Sequence, residues 1–243
     1  MCLKWGQKYS SDYVNKLFAM TKRHCTVPHE FICFTENRKG IDKEIKTMPL
    51  PDINLDGWWH KTYFFSNDIP LEGTILYFDL DVIIFNNIDK LFDYKKERFC
   101  IIRDFNRSIR KDFDRVNSSV FRLQKGMFAN IYDQFKHSPR EHMQRNRGDQ
   151  DWMYKNIKNF VYWPDDWIQS YKWEMRKRPP MIRRPDGIRM IPVNVKDGTR
   201  ANQITQDVIQ EAFKQGQLPQ KYISRNNDKS LINNSGNLEL GIY

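Results

Sequence analysis

Apolar residues recur along this chain in two rhythms. Val14, Leu17, Phe18 and Thr21 fall on one face at helical spacing. Ser10 or Ser11 stands where a helix cap is needed, and Asp12 lies in the first turn, where a carboxylate meets the positive end of the helix dipole. Elsewhere the short apolar run 31–34 predicts a buried strand, and 45–48, 99–102 and 116–121 are further strand candidates. The strongest signal spans 74–85, apolar on both sides of Asp79-Leu80-Asp81. Such a run predicts a strand buried on both faces, as inside a parallel or mixed sheet. The aromatic segment 57–65 (GWWHKTYFF) predicts a helix packed on the sheet, and helical patterns recur near 127–136 and 149–157. Residues 1–5 are too short a run to assign on pattern alone. Strands alternating with helices predict an α/β fold, a mixed central sheet sandwiched by helices.

The polar interruption at Asp79-Leu80-Asp81 changes this picture. In a regular strand residues two apart share a face, so both carboxylates would point the same way. Two carboxylates in an apolar setting repel and are costly to bury. A hard divalent cation, Mn²⁺ or Mg²⁺, relieves both costs, which makes Asp79 and Asp81 candidate metal ligands. The competing reading ends the strand at Phe78 and leaves two solvated turn residues. Asp149-Gln150-Asp151, ahead of Trp152, reads either as a helix start capped by Asp149 or as part of a site.

Composition narrows the class. With 243 residues, 40% hydrophobic and 14% aromatic, the chain has material for one sizeable α/β domain plus an appendage. The character shifts near residue 176, where a basic, proline-containing stretch gives way to a polar one; we place a catalytic domain at 1–175 and a C-terminal segment at 176–243. A net charge of +10 favours anionic partners: nucleic acid, a membrane surface or a phosphorylated small molecule. The four cysteines show no Cys-x-x-Cys spacing, and no run approaches the ~20 apolar residues of a membrane span. These features predict a cytoplasmic protein with reduced thiols and no transmembrane segment.

Two families share the Asp-x-Asp string. It resembles the first motif of dehalogenase-like phosphatases, in which Asp79 would be a nucleophile, although that motif sits nearer the N-terminus. Asp165-Asp166 is a poor match for that family's later acidic pair. The broader resemblance is carried by Leu3-Lys4-Trp5-Gly6, Gly57-Trp58-Trp59-His60-Lys61, residues 75–84, Asn117-Ser118-Ser119 and Gly148-Asp149-Gln150-Asp151-Trp152, in that order. From about residue 2 to about residue 175 the chain is similar to GT-A glycosyltransferases, within them to the retaining galactosyltransferase and glycogenin-like group and its bacterial and phage relatives.

That resemblance implies transfer of a sugar from a nucleoside-diphosphate sugar, a UDP-sugar favoured, to a carbohydrate or lipid-linked acceptor. No nucleic acid partner is expected, and peripheral membrane contact stays open. It implies that Asp79 and Asp81 hold Mn²⁺ or Mg²⁺, and that Lys4, Trp5, Tyr9, Lys61, Asn117 and Ser118 bind the donor. Asp149 would take sugar hydroxyls, and the Gln150 amide would face the anomeric carbon opposite the leaving group. Trp5 reads better as a core residue than as a stacking one, and Lys61 reads equally as an ordinary solvated lysine. One departure stands out: enzymes of this kind complete the metal site with a C-terminal His-Gly. All five histidines here (24, 29, 60, 137 and 142) precede residue 143, and no His-Gly occurs. Another third ligand, or a catalytically impaired glycosyltransferase-like protein, are the readings this leaves. A nucleotidyltransferase and a basic nucleic-acid-binding protein are the remaining alternatives.

Overall fold

Side chains alternate across a central sheet, and each face of it carries its own core. The structure, a computed structural model, describes residues 1–53, 55–170, 173 and 174, and the backbone of 190–192. Three strands are parallel, in the order β1 (Cys2–Lys4), β2 (Ile32–Thr35) and β3 (Lys46–Met48). Beside β1 on its other edge runs β4 (Thr74–Phe78): the Met1 ammonium donates to the Leu76 carbonyl at 2.7 Å, and the Phe78 amide donates to the Met1 carbonyl at 3.0 Å. One residue bonded on both sides in this way is the pattern of a parallel pair. After β4 come β5 (Val82–Ile84), β6 (Cys100–Arg103), β7 (Val116–Gln124) and β8 (Val161–Tyr162). The second half of the sheet is β4-β7-β6-β8, with β7 antiparallel to both neighbours and β8 parallel to β6. β5 pairs antiparallel with β9 (Met190–Pro192), so part of the segment assigned to a C-terminal appendage lies against the strand that follows Asp81. The rest of that assignment falls outside the described residues.

Along β4, Leu76 and Phe78 enter one core and Ile75 and Tyr77 the other. The first core is covered by α1 (Ser11–His24), which buries Val14, Leu17 and Met20, and by Leu91 of the short helix α2 (Lys90–Asp93). The second is covered by a 3-10 helix (Gly57–Phe65), α3 (Ala129–His137) and α5 (Asp149–Asn156); α4 (Pro139–Arg145) follows α3 and buries no residue. Helices on both faces of a mixed sheet match the expected α/β architecture. Ser10 occupies the N-cap of α1 without a side-chain hydrogen bond there.

The aromatic segment forms a 3-10 helix of nine residues, long for a form that is usually confined to three or four. Burial holds it: Trp59, Phe64 and Phe65 lie in the second core, and Trp59 stacks on Phe135 at 5.9 Å between centroids. Each such side chain contributes on the order of 2–3 kcal/mol by leaving water. Gly57 starts the helix at φ +59°, beneath the Trp5 ring, which a Cβ there would meet at 3.1 Å. Gly57→Ala is expected to cost about 1–2 kcal/mol, measured by urea unfolding, because an L side chain resists this left-handed conformation.

Two expectations are corrected. The run 74–85 is not one strand: β4 ends at Phe78, and the Val82 amide donates to the Asp79 carbonyl at 3.2 Å, closing a turn before β5. β7, expected to stop at Phe121, continues to Gln124 with Arg122 fully buried. The two terminal nitrogens of the Arg122 guanidinium donate to the carbonyls of Leu91, Phe92, Lys95 and Arg98 at 2.6–3.2 Å, while its Nε is buried without a hydrogen bond.

Candidate functional site

The chain runs β1, β2, β3 toward one edge and then returns to place β4 on the far side of β1. The direction of winding thus reverses between β1 and β4, and at such a switch point the loops leaving the two carboxyl ends diverge and open a crevice. Here those loops carry Trp5 to Ser10 and Asp79 to Asp81. Lys4 closes β1, buried and in register with Thr35, and Trp5 lies against Gly57. The Gly6 amide donates to Glu36 Oε1 at 2.6 Å, which ties this loop to the one after β2. Tyr9 turns back toward the crevice: its hydroxyl donates to Asp81 Oδ2 at 3.4 Å, and its ring meets Tyr13 edge-on.

The Asp79 amide donates to the Ser119 carbonyl at 2.8 Å, anchoring the β4–β5 turn to β7. Leu80 is buried in the first core, while Asp79 and Asp81 are half-buried on either side of it. The aspartates are therefore turn residues, yet not merely solvated ones. Burial and the neighbouring Asp79 push the Asp81 carboxyl up to about 7, with Lys61 and Lys8 opposing.

Lys61 is the cation of this cluster. Its Nζ lies 2.8 Å from Asp79 Oδ1 and 3.7 Å from Asp149 Oδ2, and donates to Ser118 Oγ at 3.2 Å. It also sits over the Tyr77 ring, 5.3 Å from the centroid. Burial alone would lower its pKa, but Asp149 and Asp79 outweigh burial and hold the ammonium above its ordinary value. A solvated surface lysine is thus excluded, for its side chain is only 6% exposed. The Tyr77 hydroxyl adds a 2.6 Å hydrogen bond to Asp79 Oδ1.

Asp149 arrives from the opposite layer. Gly148, not Asp149, is the N-cap of α5; Asp149 begins the helix and turns inward, buried, its Oδ2 facing Lys61 without a hydrogen bond. Burial pushes its carboxyl up, with Lys61 opposing. Gln150 follows in the same turn, half-buried, while Trp152 and Met153 seat the helix in the second core. Ser118 comes from a bulge in β7, where the register passes from Ile101↔Phe121 to Ile102↔Asn117. Within it Asn117 Oδ1 accepts from the Ser119 amide at 3.0 Å, so this side chain shapes the bulge. Bulges re-aim side chains in this way beside functional sites.

The structure therefore brings Tyr9, Lys61, Asp79, Asp81, Ser118 and Asp149 together, with Gln150 and Asn117 adjoining. Tyr77 was missed, for within an apolar run a tyrosine reads as core; its place two residues before Asp79 was the available signal. Three carboxyl groups thus gather around one buried ammonium in a chain of net charge +10. Asp79 and Asp81 offer the carboxylate oxygens that Mg²⁺ and Mn²⁺ take, although no group of three or more His, Cys, Asp or Glu arranged to hold a metal occurs among the described residues. The four cysteines are free and buried, and no helix among the described residues is long and apolar enough to cross a membrane.

No protein-family model and no curated protein matches the chain. Among solved structures it is similar to the glycosyltransferase GlyE of Streptococcus pneumoniae TIGR4, with a TM-score of 0.57 and 12% identity over 81% of this chain and 55% of that one. The chain thus spans about half the length of that protein, and what the two share is the fold.

Proposed function

We propose that this chain is a metal-dependent glycosyltransferase of the GT-A type, moving a sugar from a nucleoside-diphosphate sugar to an acceptor with retention. The observation that carries the reading is the lysine-bridged carboxylate cluster at the carboxyl-end crevice between β1 and β4, where α/β sheets bind nucleotides. The fold shared with GlyE supports it. Asp79 and Asp81 would hold Mn²⁺ or Mg²⁺; when bound, the cation would supply Lewis-acid stabilisation of charge on the departing diphosphate. Two carboxylates with the remaining positions left to phosphate and water is the usual Mg²⁺ arrangement, so a C-terminal histidine is not required by the donor chemistry.

The chain's own residues then divide the work. Tyr9 borders the crevice beside Asp81, where a nucleobase or ribose can pack on it. Lys61 and Tyr77 orient Asp79 by occupying its Oδ1, which leaves Oδ2 for a cation. Asp149, buried and with no hydrogen bond at its Oδ2, would accept there from a sugar hydroxyl, with Gln150 beside it toward the anomeric carbon. An amide is a weak nucleophile, which favours front-side attack by the acceptor over a covalent intermediate.

A thermal-shift panel of nucleoside diphosphates and nucleotide sugars, with and without Mn²⁺, tests this. One nucleotide class, UDP favoured, is expected to stabilise the protein only with metal, by about 2.7 kcal/mol at a hundredfold excess over Kd. Saturating UDP- and GDP-sugars that leave Tm unmoved in Mn²⁺ would sink the proposal.

A further inference from the structure

Among the described residues only two large apolar side chains are exposed, Ile109 and Trp58, and Trp58 stands at the mouth of the cluster. Two independent features place it there. In a 3-10 helix side chains three apart eclipse, so Trp58 and Lys61 share one edge of the Gly57–Phe65 helix. Lys61 reaches inward to Asp79 and Asp149, and Trp58 lies one turn outward, about 6 Å along the axis. From the other layer, Gly148 leads directly into Asp149, and a Cβ on Gly148 would meet Trp58 Nε1 at 3.2 Å. The indole therefore rests on the backbone that enters α5, and 47% of Trp58 remains open to solvent. Trp59, its neighbour, is 6% exposed and stacked on Phe135, so the segment does not need Trp58 for its core.

We propose that Trp58 is the platform for the acceptor, a pyranoside whose C–H face lies on the indole while a hydroxyl points toward the buried cluster. An indole offers a large, rigid apolar face at little conformational cost, suited to a ring that is apolar on its faces and polar at its rim. The side chains deeper in, Lys61, Asp149 and Ser118, are polar and buried and suit the donor sugar; a ring arriving from solvent meets Trp58 first. This inference rests on the reading of the cluster as the donor end of the site.

The test is ¹⁹F NMR of the whole chain labelled with 5-fluorotryptophan, the Trp58 signal being the one lost in Trp58→Phe. The probes are methyl α- and β-pyranosides of glucose, galactose, mannose and N-acetylglucosamine, added with Mn²⁺ and UDP present. At least one is expected to move the Trp58 signal saturably, and Trp58→Ala to weaken its binding about tenfold. Gly148→Ala, which crowds the indole, is expected to weaken the same glycoside. A Trp58 signal indifferent to every glycoside overturns the platform, as does one that moves with protein concentration instead, which marks a contact between chains. Mn²⁺-dependent stabilisation of the unsubstituted protein by UDP is recorded alongside. Where it persists and Trp58 stays silent, the platform alone fails; where it is absent, the donor-site reading fails.

Discussion

Lys61→Met is expected to lower the unfolding free energy by about 3–5 kcal/mol near neutral pH, the cost of removing one partner from a buried ion cluster. Methionine fills much the same volume, so the loss is electrostatic and not a cavity effect. It leaves Asp149 buried with its Oδ2 facing no cation, and Asp79 with the Tyr77 hydroxyl as its remaining partner on Oδ1. The pH dependence identifies the cause. The Asp149 carboxyl already titrates above its ordinary range through burial, and loss of the opposing Lys61 raises it further. A carboxyl raised in the folded state favours folding below its unfolded pKa of about 4 and loses that contribution as pH rises through the folded value. The deficit of the variant should therefore be smallest below about pH 4 and grow toward neutrality. Urea unfolding of both proteins across that range measures it; a deficit independent of pH would assign Lys61 a packing role instead.

The helix and strand rhythms were legible because burial follows them. The apolar face of α1 and the segments that became β2, β6 and β7 are where the pattern places them; β3 forms where expected, but as an edge strand with no buried residue, because it has a neighbour on one side only. What periodicity could not show is where a polar group is satisfied from a distance. Arg122 looked like the end of a strand because the carbonyls that accept from it lie 24–31 residues earlier. The break after Phe78 was hidden because Leu80, Val82 and Ile84 keep an alternating pattern through the turn. In the site, the carboxylates and Lys61 were legible as residue types, and their shared contacts were not. Lys61 meets Asp149 across 88 positions of sequence, and only the 3-10 helix and the inward turn at Gly148 bring them within 3.7 Å.

Asp81→Asn is expected to act in opposite directions with and without ligand. Asp81 lies two residues from Asp79, its one hydrogen-bond partner among the described side chains is Tyr9 at 3.4 Å, and burial plus the Asp79 charge push its carboxyl up to about 7. Its folded pKa exceeds the unfolded value of about 3.9, so Asp81 favours folding below about pH 4 and loses that contribution as pH rises through about 7. In metal-free buffer the amide, which carries no charge, should therefore raise Tm at about pH 8 and change it little at about pH 4. With Mn²⁺ and UDP the order reverses. The unsubstituted protein gains stability by mass action, whereas the variant, short of one carboxylate ligand, gains almost none. A structural aspartate would lose stability in both conditions, and a solvated turn residue would change in neither. Only a carboxylate kept at a cost to the fold, for a charge that arrives with the ligand, produces the crossing of the two curves.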